Sequence, residues 1–280
     1  MSNKNKVLPN FLGIGATKSG TTWLAEILKS HPQIYLPPDK KEIHFFDKFY
    51  DKGLDWYRQF FPGKKESFKY KAIGEFTPTY MNPEYSGLIK KCLPGAKFIT
   101  VLRNPVEKTY SGLKYGNLHR KKESTVDSYL QKLKEKSGSS LYSQALKDWL
   151  KKFKEDKLLI LIYEDLKTNP EKELKKISAF LEVDCEGFNK KTIKQYYNQT
   201  LAPRNKKIFI KGRGLIHKLR SKNWDKLANL IKKIGLPFIF QKKTYPPLSK
   251  EEEEKLKNFY KKEVEEVEKI IGREIPAWKK

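Results

Sequence analysis

Residues 11–24 read Phe-Leu-Gly-Ile-Gly-Ala-Thr-Lys-Ser-Gly-Thr-Thr-Trp-Leu, and they leave the chain few folds to choose from. The apolar run 11–17 is too short for a helix and shows no polar face, the pattern of a strand buried on both sides. It breaks at a glycine-rich turn, and a helix begins near Gly20. A strand feeding a helix in this way gathers the unpaired N–H groups of the helix N-terminus around one point. Lys18 and the hydroxyls of Ser19, Thr21 and Thr22 converge on the same point. Amides, helix dipole and ammonium together make an anion site.

Three more runs carry the strand signature, at 70–74, 97–102 and 158–163. Helical patterns lie around them at 21–30, 83–92, 106–118, 141–154 and 170–181. Asn104 before Pro105 and Asn169 before Pro170 are helix-starting pairs. Strands alternating with helices imply a single α/β domain with a central parallel sheet flanked by helices. A last helix opens at Ser249 with Glu252 in a capping box and runs to Ile271. Its Leu256, Phe259, Tyr260, Val264, Val267 and Ile271 form one apolar stripe. The expected organisation of residues 1–280 is a nucleotide-binding core over 10–185, a lid or loop region over 186–248, and a packing helix over 249–271.

With 280 residues, 38% hydrophobic and 13% aromatic, the chain can build a sizeable core and is too aromatic for disorder. Its longest apolar runs, 11–16 and 158–163, fall short of the roughly 20 residues that cross a bilayer. The stretch before them is read as the approach to the first strand, not as a secretory leader. Cys92 and Cys185 cannot build a disulfide framework, and small buried apolar roles in a cytoplasmic protein are expected of them. The net charge is +26, yet only seven of the 59 basic residues are arginine. Nucleic-acid readers depend on the arginine fork, so the charge permits an anionic partner and nucleic acid is not expected.

The phosphate loop of kinases and ATPases places Lys directly after the last Gly. Here Lys18 comes two positions before Gly20, and Thr21 stands where that Lys belongs. The order Lys-Ser-Gly-Thr-Thr instead resembles the 5′-phosphosulfate loop of sulfotransferases that use 3′-phosphoadenosine 5′-phosphosulfate (PAPS). Residues 98–111, Phe-Ile-Thr-Val-Leu-Arg-Asn-Pro-Val-Glu-Lys-Thr-Tyr-Ser, resemble the second element of that family, a strand ending in arginine and a helix bearing serine. Residues 41–47 (Lys-Glu-Ile-His-Phe-Phe-Asp), 53–57 (Gly-Leu-Asp-Trp-Tyr) and 74–80 (Gly-Glu-Phe-Thr-Pro-Thr-Tyr) are similar to stretches of the heparan sulfate 3-O- and N-sulfotransferases and their bacterial relatives. The likeness covers roughly residues 10–185, with a weaker echo in 245–278.

The resemblance implies a P-loop-like phosphosulfate site, PAPS as donor and no metal. Lys18, Ser19, Gly20, Thr21 and Thr22 would hold the 5′ side, and Arg103 with Ser111 the 3′-phosphate, for which a guanidinium is a good fork. It implies Glu75 as the catalytic base, with Phe76 where those enzymes carry Lys. His44 is the rival, since steroid and phenol sulfotransferases use histidine. Lys18 would neutralise the leaving phosphate, and Lys41 would lie near the sulfate or acceptor. A late basic lid points to Lys211 and Arg213, with Arg204 in competition. The acceptor is a hydroxyl or amine on a sugar, lipid or small metabolite, and the aromatic residues of 45–61 either line its cleft or pack in the core.

Two other classes stay open. One is a nucleotide kinase or NTPase, for which Glu164 and Asp165 after the fourth strand are the candidate magnesium carboxylates. The other is a non-catalytic polyanion-binding protein. The sequence does not fix oligomeric state.

Overall fold

The apolar runs form strands with almost no exposed face. In the computed structural model, which describes residues 5–119, 124–135, 141–194 and 247–279 with 202–203, 208, 211–212, 214–215, 224 and 240–243, β1 (Phe11–Gly15) and β3 (Ala72–Phe76) are buried at every position. β4 (Lys97–Leu102) is buried at all but its first residue. With β2 (Ile34–Tyr35) and β5 (Leu158–Ile162) they make one parallel sheet in the order β2-β3-β1-β4-β5. β1 is central, and the chain winds outward from it in both directions. That arrangement opens a crevice at the C-terminal end of β1, the usual ligand site of such sheets.

Alternation along the strands builds two cores. Leu12, Ile14, Phe98 and Leu102 face one side, against α5 (Pro83–Cys92) and α8 (Tyr142–Lys152) through Ile89, Leu146 and Trp149. Phe11, Ile99 and Val101 face the other, against α1 (Thr21–Lys29) and α10 (Pro170–Leu181) through Leu24, Ile27, Leu174 and Ile177. Further helices among the described residues are α2 (Phe45–Lys48), α3 (Gly53–Arg58), α4 (Lys64–Ser67), α6 (Pro105–His119), α7 (Val126–Glu135), α9 (Tyr163–Thr168) and α11 (Lys190–Lys194).

The start signals work as read. Asn104 accepts from the Val106 amide at 2.9 Å and Asn169 from the Lys172 amide at 3.2 Å. Ser249 and Glu252 form the reciprocal capping box of the C-terminal helix, Lys250–Ile271. Leu256, Tyr260 and Val267 are buried on that helix, and Glu263 between them accepts from the Ser143 amide at 2.9 Å and hydroxyl at 2.6 Å.

Two expectations need correction. β3 starts at Ala72 rather than 70, because the Tyr70 amide closes a turn on Ser67 and its ring packs edge-on to Tyr35. Cys185 is exposed and Cys92 only half-buried; Cys185 begins a single helical turn capped by Asp184, outside both cores. Of the two readings of the 45–61 aromatics, core packing holds for Phe45 and Tyr57, which are fully buried and stack at 4.4 Å between ring centroids.

Candidate active site

Lys18 and Gly20 both have left-handed backbone (φ 64° and 84°), and Gly20 precedes α1 without any side-chain cap. The first amides of α1 thus have no intrahelical acceptor. Gly20 is needed twice over, because a Cβ there would also lie 2.5 Å from the Tyr163 ring. Gly20→Ala is expected to cost at least about 1–2 kcal/mol from the backbone term alone. A melting temperature lowered by several degrees, read by calorimetry, checks it; an unchanged one means the turn relaxes freely.

Lys18 is half-buried against α6, its ammonium 3.2 Å from the centroid of the Tyr115 ring. Burial lowers its pKa to about 8; the Glu42 carboxylate pulls the other way and Lys41 adds to the lowering. Ser19 is fully buried, and its hydroxyl lies 3.4 Å from the Tyr142 hydroxyl. Its side chain therefore braces the loop from beneath. Thr21 is buried, while Thr22 accepts from the Lys41 ammonium at 2.5 Å.

The second motif sits beside the first. Arg103, at the end of β4, donates to the Lys18 carbonyl at 3.4 Å and to Glu107 at 3.0 Å, and its guanidinium lies 5.0 Å from the Tyr163 ring centroid. Ser111 is half-exposed on α6, one turn beyond Glu107 on the same face. The Tyr142 hydroxyl ties the two motifs together, donating to the Arg103 carbonyl at 3.1 Å beside Ser19. Sequence reading missed Tyr142, since a tyrosine early in a helix carries no motif.

Residues 41–47 lie against the other side of the loop. Lys41 bridges Thr22 and Glu42. His44 is held between two carboxylates, Nδ1 2.8 Å from Asp47 Oδ2 and Nε2 3.3 Å from Glu42 Oε2. Thr79 donates to the same Asp47 oxygen at 2.7 Å, while Asp47 Oδ1 is buried without a hydrogen-bond partner. A cavity of about 620 Å³ opens here, and its walls include Lys18, Asp47, Thr79, Asn82, Tyr85 and Lys108. Burial lowers the Lys108 pKa to about 8, opposed by Glu263, and its ammonium lies 4.1 Å from the Tyr142 ring centroid.

Glu75 is not placed as a base must be. It is 0% exposed, below the cleft, and both carboxylate oxygens are occupied by donors from Tyr57, Tyr80, Thr77 and the Ile43 amide. Burial raises its pKa and those four donors oppose the rise. A base needs its proton partner within hydrogen-bond reach, and nothing outside the core reaches Glu75. Phe76 explains the missing lysine next to it. Its ring fills the notch over Gly13, where a Cβ would lie 2.0 Å from the ring. The carboxylate whose charge acts on Lys18 is Glu42. Its signal was present in Lys-Glu-x-His-x-x-Asp, where four charged or titratable groups crowd one short segment.

Glu164 and Asp165 are engaged in holding the fold. Glu164 accepts from the Asn104 amide at 3.0 Å and from Trp278 Nε1 at 2.9 Å, and Asp165 pairs with Arg273. Among the described residues no cluster of three or more His, Cys, Asp or Glu side chains has metal-binding geometry, and no helix is long and apolar enough to cross a membrane. Lys211 is exposed; Arg204 and Arg213 lie outside the described residues.

Comparison with known proteins agrees with this geometry. The family model described as a sulfotransferase domain matches residues 8–234. Membrane-associated sulfotransferase kil1 of Dictyostelium discoideum is 44% identical over 105 residues, 37% of this chain and 22% of that one. Human bifunctional heparan sulfate N-deacetylase/N-sulfotransferase 2 is 30% identical over 196 residues, 62% of this chain and 22% of that one. Mouse heparan sulfate glucosamine 3-O-sulfotransferase 3B1 is 32% identical over 187 residues, 63% and 47%. The matched regions thus span between about a fifth and a half of these relatives. A sulfotransferase of Alicyclobacillus acidocaldarius, 21% identical, shares the fold over 98% of this chain and 100% of that one, with a TM-score of 0.62. The match over residues 8–234, on a fold that brings both nucleotide motifs to one crevice, makes this chain a member of the sulfotransferase-domain family.

Proposed function

We propose that the chain is a PAPS-dependent sulfotransferase with Glu42 as the base. The observation that carries this is a single juxtaposition. Arg103 closes on the Lys18 carbonyl at an uncapped helix N-terminus, and Glu42 is the carboxylate that most strongly affects Lys18. Phosphate oxygens suit the first two groups, and an acceptor proton suits the third.

PAPS fits the residues present. The amides of α1 with Lys18, Ser19, Gly20, Thr21 and Thr22 would hold its 5′ end, and Arg103 with Ser111 its 3′-phosphate. Bound there, it supplies an electrophilic sulfur and a phosphate leaving group. Transfer breaks the bond between sulfur and the 5′-phosphate oxygen and forms one to the acceptor oxygen or nitrogen. Glu42 takes the acceptor proton, and Lys18 offsets the charge that collects on the departing adenosine 3′,5′-bisphosphate (PAP). Sulfuryl transfer through a loose transition state needs mainly such positioning and charge stabilisation, by analogy with phosphoryl transfer. Asp47 orients His44, which faces Glu42 from the opposite ring nitrogen and steers its carboxylate. No metal enters this scheme.

The acceptor is a sugar hydroxyl or amine. Support comes from the heparan sulfate relatives and from Lys108 and Asn82 on the cavity wall, which suit an anionic glycan; a lipid or small metabolite is the other choice. A division into a core over 10–185, a lid over 186–248 carrying Lys211 and Arg213, and a C-terminal packing helix belongs to this reading, as does a bacterial, cytoplasmic setting.

Calorimetric titration with PAP and with ATP, each with and without magnesium, tests it. Saturable, metal-independent binding of PAP in preference to ATP is the expected result. ATP binding that requires magnesium would replace this reading with a kinase, and steeply salt-dependent binding without a saturable nucleotide site would replace it with a polyanion-binding protein.

A further inference from the structure

Four consecutive backbone amides of the segment that carries Glu42, His44 and Asp47 are held by side chains of one neighbouring strip, and Glu75 lies at its root. The Ile43 amide donates to Glu75 Oε2 at 3.4 Å and the His44 amide to Thr77 Oγ1 at 3.3 Å. The Phe45 and Phe46 amides both donate to the Tyr80 hydroxyl, at 2.7 and 3.3 Å. Those two hydroxyls in turn donate to Glu75, Thr77 to Oε2 at 2.6 Å and Tyr80 to Oε1 at 2.9 Å. The Tyr57 hydroxyl adds a further donor to Oε1 at 3.0 Å.

The directions of these bonds follow from counting protons. A tyrosine hydroxyl has one proton and two lone pairs. Both lone pairs of Tyr80 face amide donors, so its proton goes to Glu75. Thr77 accepts from His44 and passes its own proton to the same carboxylate. Four donors on two oxygens are satisfied by an ionised carboxylate; an amide in its place would set one donor against another. The held segment has no regular structure of its own before α2, and His44 itself has left-handed backbone (φ 59°). Its amides therefore depend on these side chains, because a buried N–H left unpaired is costly.

We infer that Glu75 is a positioning residue: its carboxylate orients the Thr77 and Tyr80 hydroxyls, these clamp the amides of residues 43–46, and the clamp sets Glu42, His44 and Asp47 against the phosphosulfate loop. The effect on turnover rests on the assignment of Glu42 as base; the clamp does not.

Glu75→Gln and Tyr80→Phe test it. Tyr80→Phe removes the acceptor of two amides and leaves the Glu75 carboxylate in place, so it carries the test if Glu75→Gln fails to fold. Amide hydrogen exchange at residues 43–46 is expected to accelerate at least about tenfold in both variants, as local opening becomes easier. The His44 ring ¹⁵N shifts, which report its bond to Asp47, are expected to move toward those of free imidazole. Turnover of PAPS with a heparosan-derived oligosaccharide bearing free hydroxyls and amines is expected to fall about 10²-fold through misplacement of the base. PAP affinity, which depends on the loop and Arg103, is expected to stay within about twofold.

Unchanged exchange and unchanged His44 shifts in both variants would overturn the clamp. So would a dead Glu75→Gln beside a fully active Tyr80→Phe, which would make Glu75 itself the base. Accelerated exchange in both variants, with normal turnover in Glu42→Gln, would keep the clamp and discard Glu42 as base.

Discussion

Glu42→Gln is expected to lower turnover by about 10²–10⁴-fold while leaving PAP affinity within about twofold, the signature of a lost general base. The reasoning is geometric. Glu42 reaches the Lys41 ammonium at 3.1 Å and His44 Nε2 at 3.3 Å, at the rim of the loop where the sulfuryl group would lie. Glutamine keeps the size and one acceptor oxygen, so the contact to Lys41 can persist while the proton sink is gone. Amide exchange at residues 43–46 is expected to match wild type in this variant, which separates loss of the base from loss of its support. Turnover at the wild-type rate in Glu42→Gln, measured with PAPS and the oligosaccharide acceptor, would remove Glu42 from the mechanism.

The second large effect concerns Lys18. Burial holds its pKa at about 8 in the free protein, and a bound anion stabilises the charged form. Binding of PAP therefore requires a protonated Lys18. Well below pH 8 that proton is already present; above it, each binding event must take up a proton. The dissociation constant for PAP is thus expected to rise about tenfold between pH 7 and pH 9 by linkage. Lys18→Met is expected to remove this pH dependence and to weaken PAP binding by about 10–150-fold, the loss of a charge-assisted hydrogen bond. Turnover is expected to fall a further about 10²–10³-fold, because the leaving phosphate loses its counter-charge. A pH-independent affinity in the wild type, or the same pH slope in Lys18→Met, would show that another group carries the dependence.

The two predictions act on opposite sides of one loop, and this shows how the fold serves the chemistry. β1 is the central strand, so its terminal turn is flanked by the ends of β3 and β4. From the end of β4 comes Arg103, which donates to the Lys18 carbonyl. From β3 and the turn after it comes the strip Glu75, Thr77, Thr79 and Tyr80, which holds residues 43–47 in place.

Much of this was legible in the residues themselves. Strand identity followed from short apolar runs, because a parallel strand covered on both faces cannot carry alternating polar residues. The turn after β1 was legible because left-handed backbone before a helix calls for Gly20. Asn104, Asn169 and Ser249 declared their helices through local bonds to amides two or three residues away, and such bonds need no tertiary partner.

Which glutamate could act was beyond the sequence. Glu42 and Glu75 are 33 residues apart, both sit in motif-like surroundings, and either could be a base by its chemistry alone. Tertiary structure separates them by access: the pleat of β3 turns Glu75 into the core, where four donors saturate it, while the non-helical segment before α2 leaves Glu42 against Lys41 and His44. Burial and hydrogen-bond count depend on residues far away in sequence, and no local pattern encodes them. The same holds for Phe76, whose ring replaces an expected lysine because Gly13 on the adjacent strand leaves room for it. The sequence by itself thus determined four of the five strands of the sheet and the strand–turn–helix unit after β1, since these rest on local chemistry and period. Only the packed structure shows Glu75 saturated by four donors in the core and Glu42 in contact with Lys41 and His44, because burial and donor count are set by residues distant in the chain.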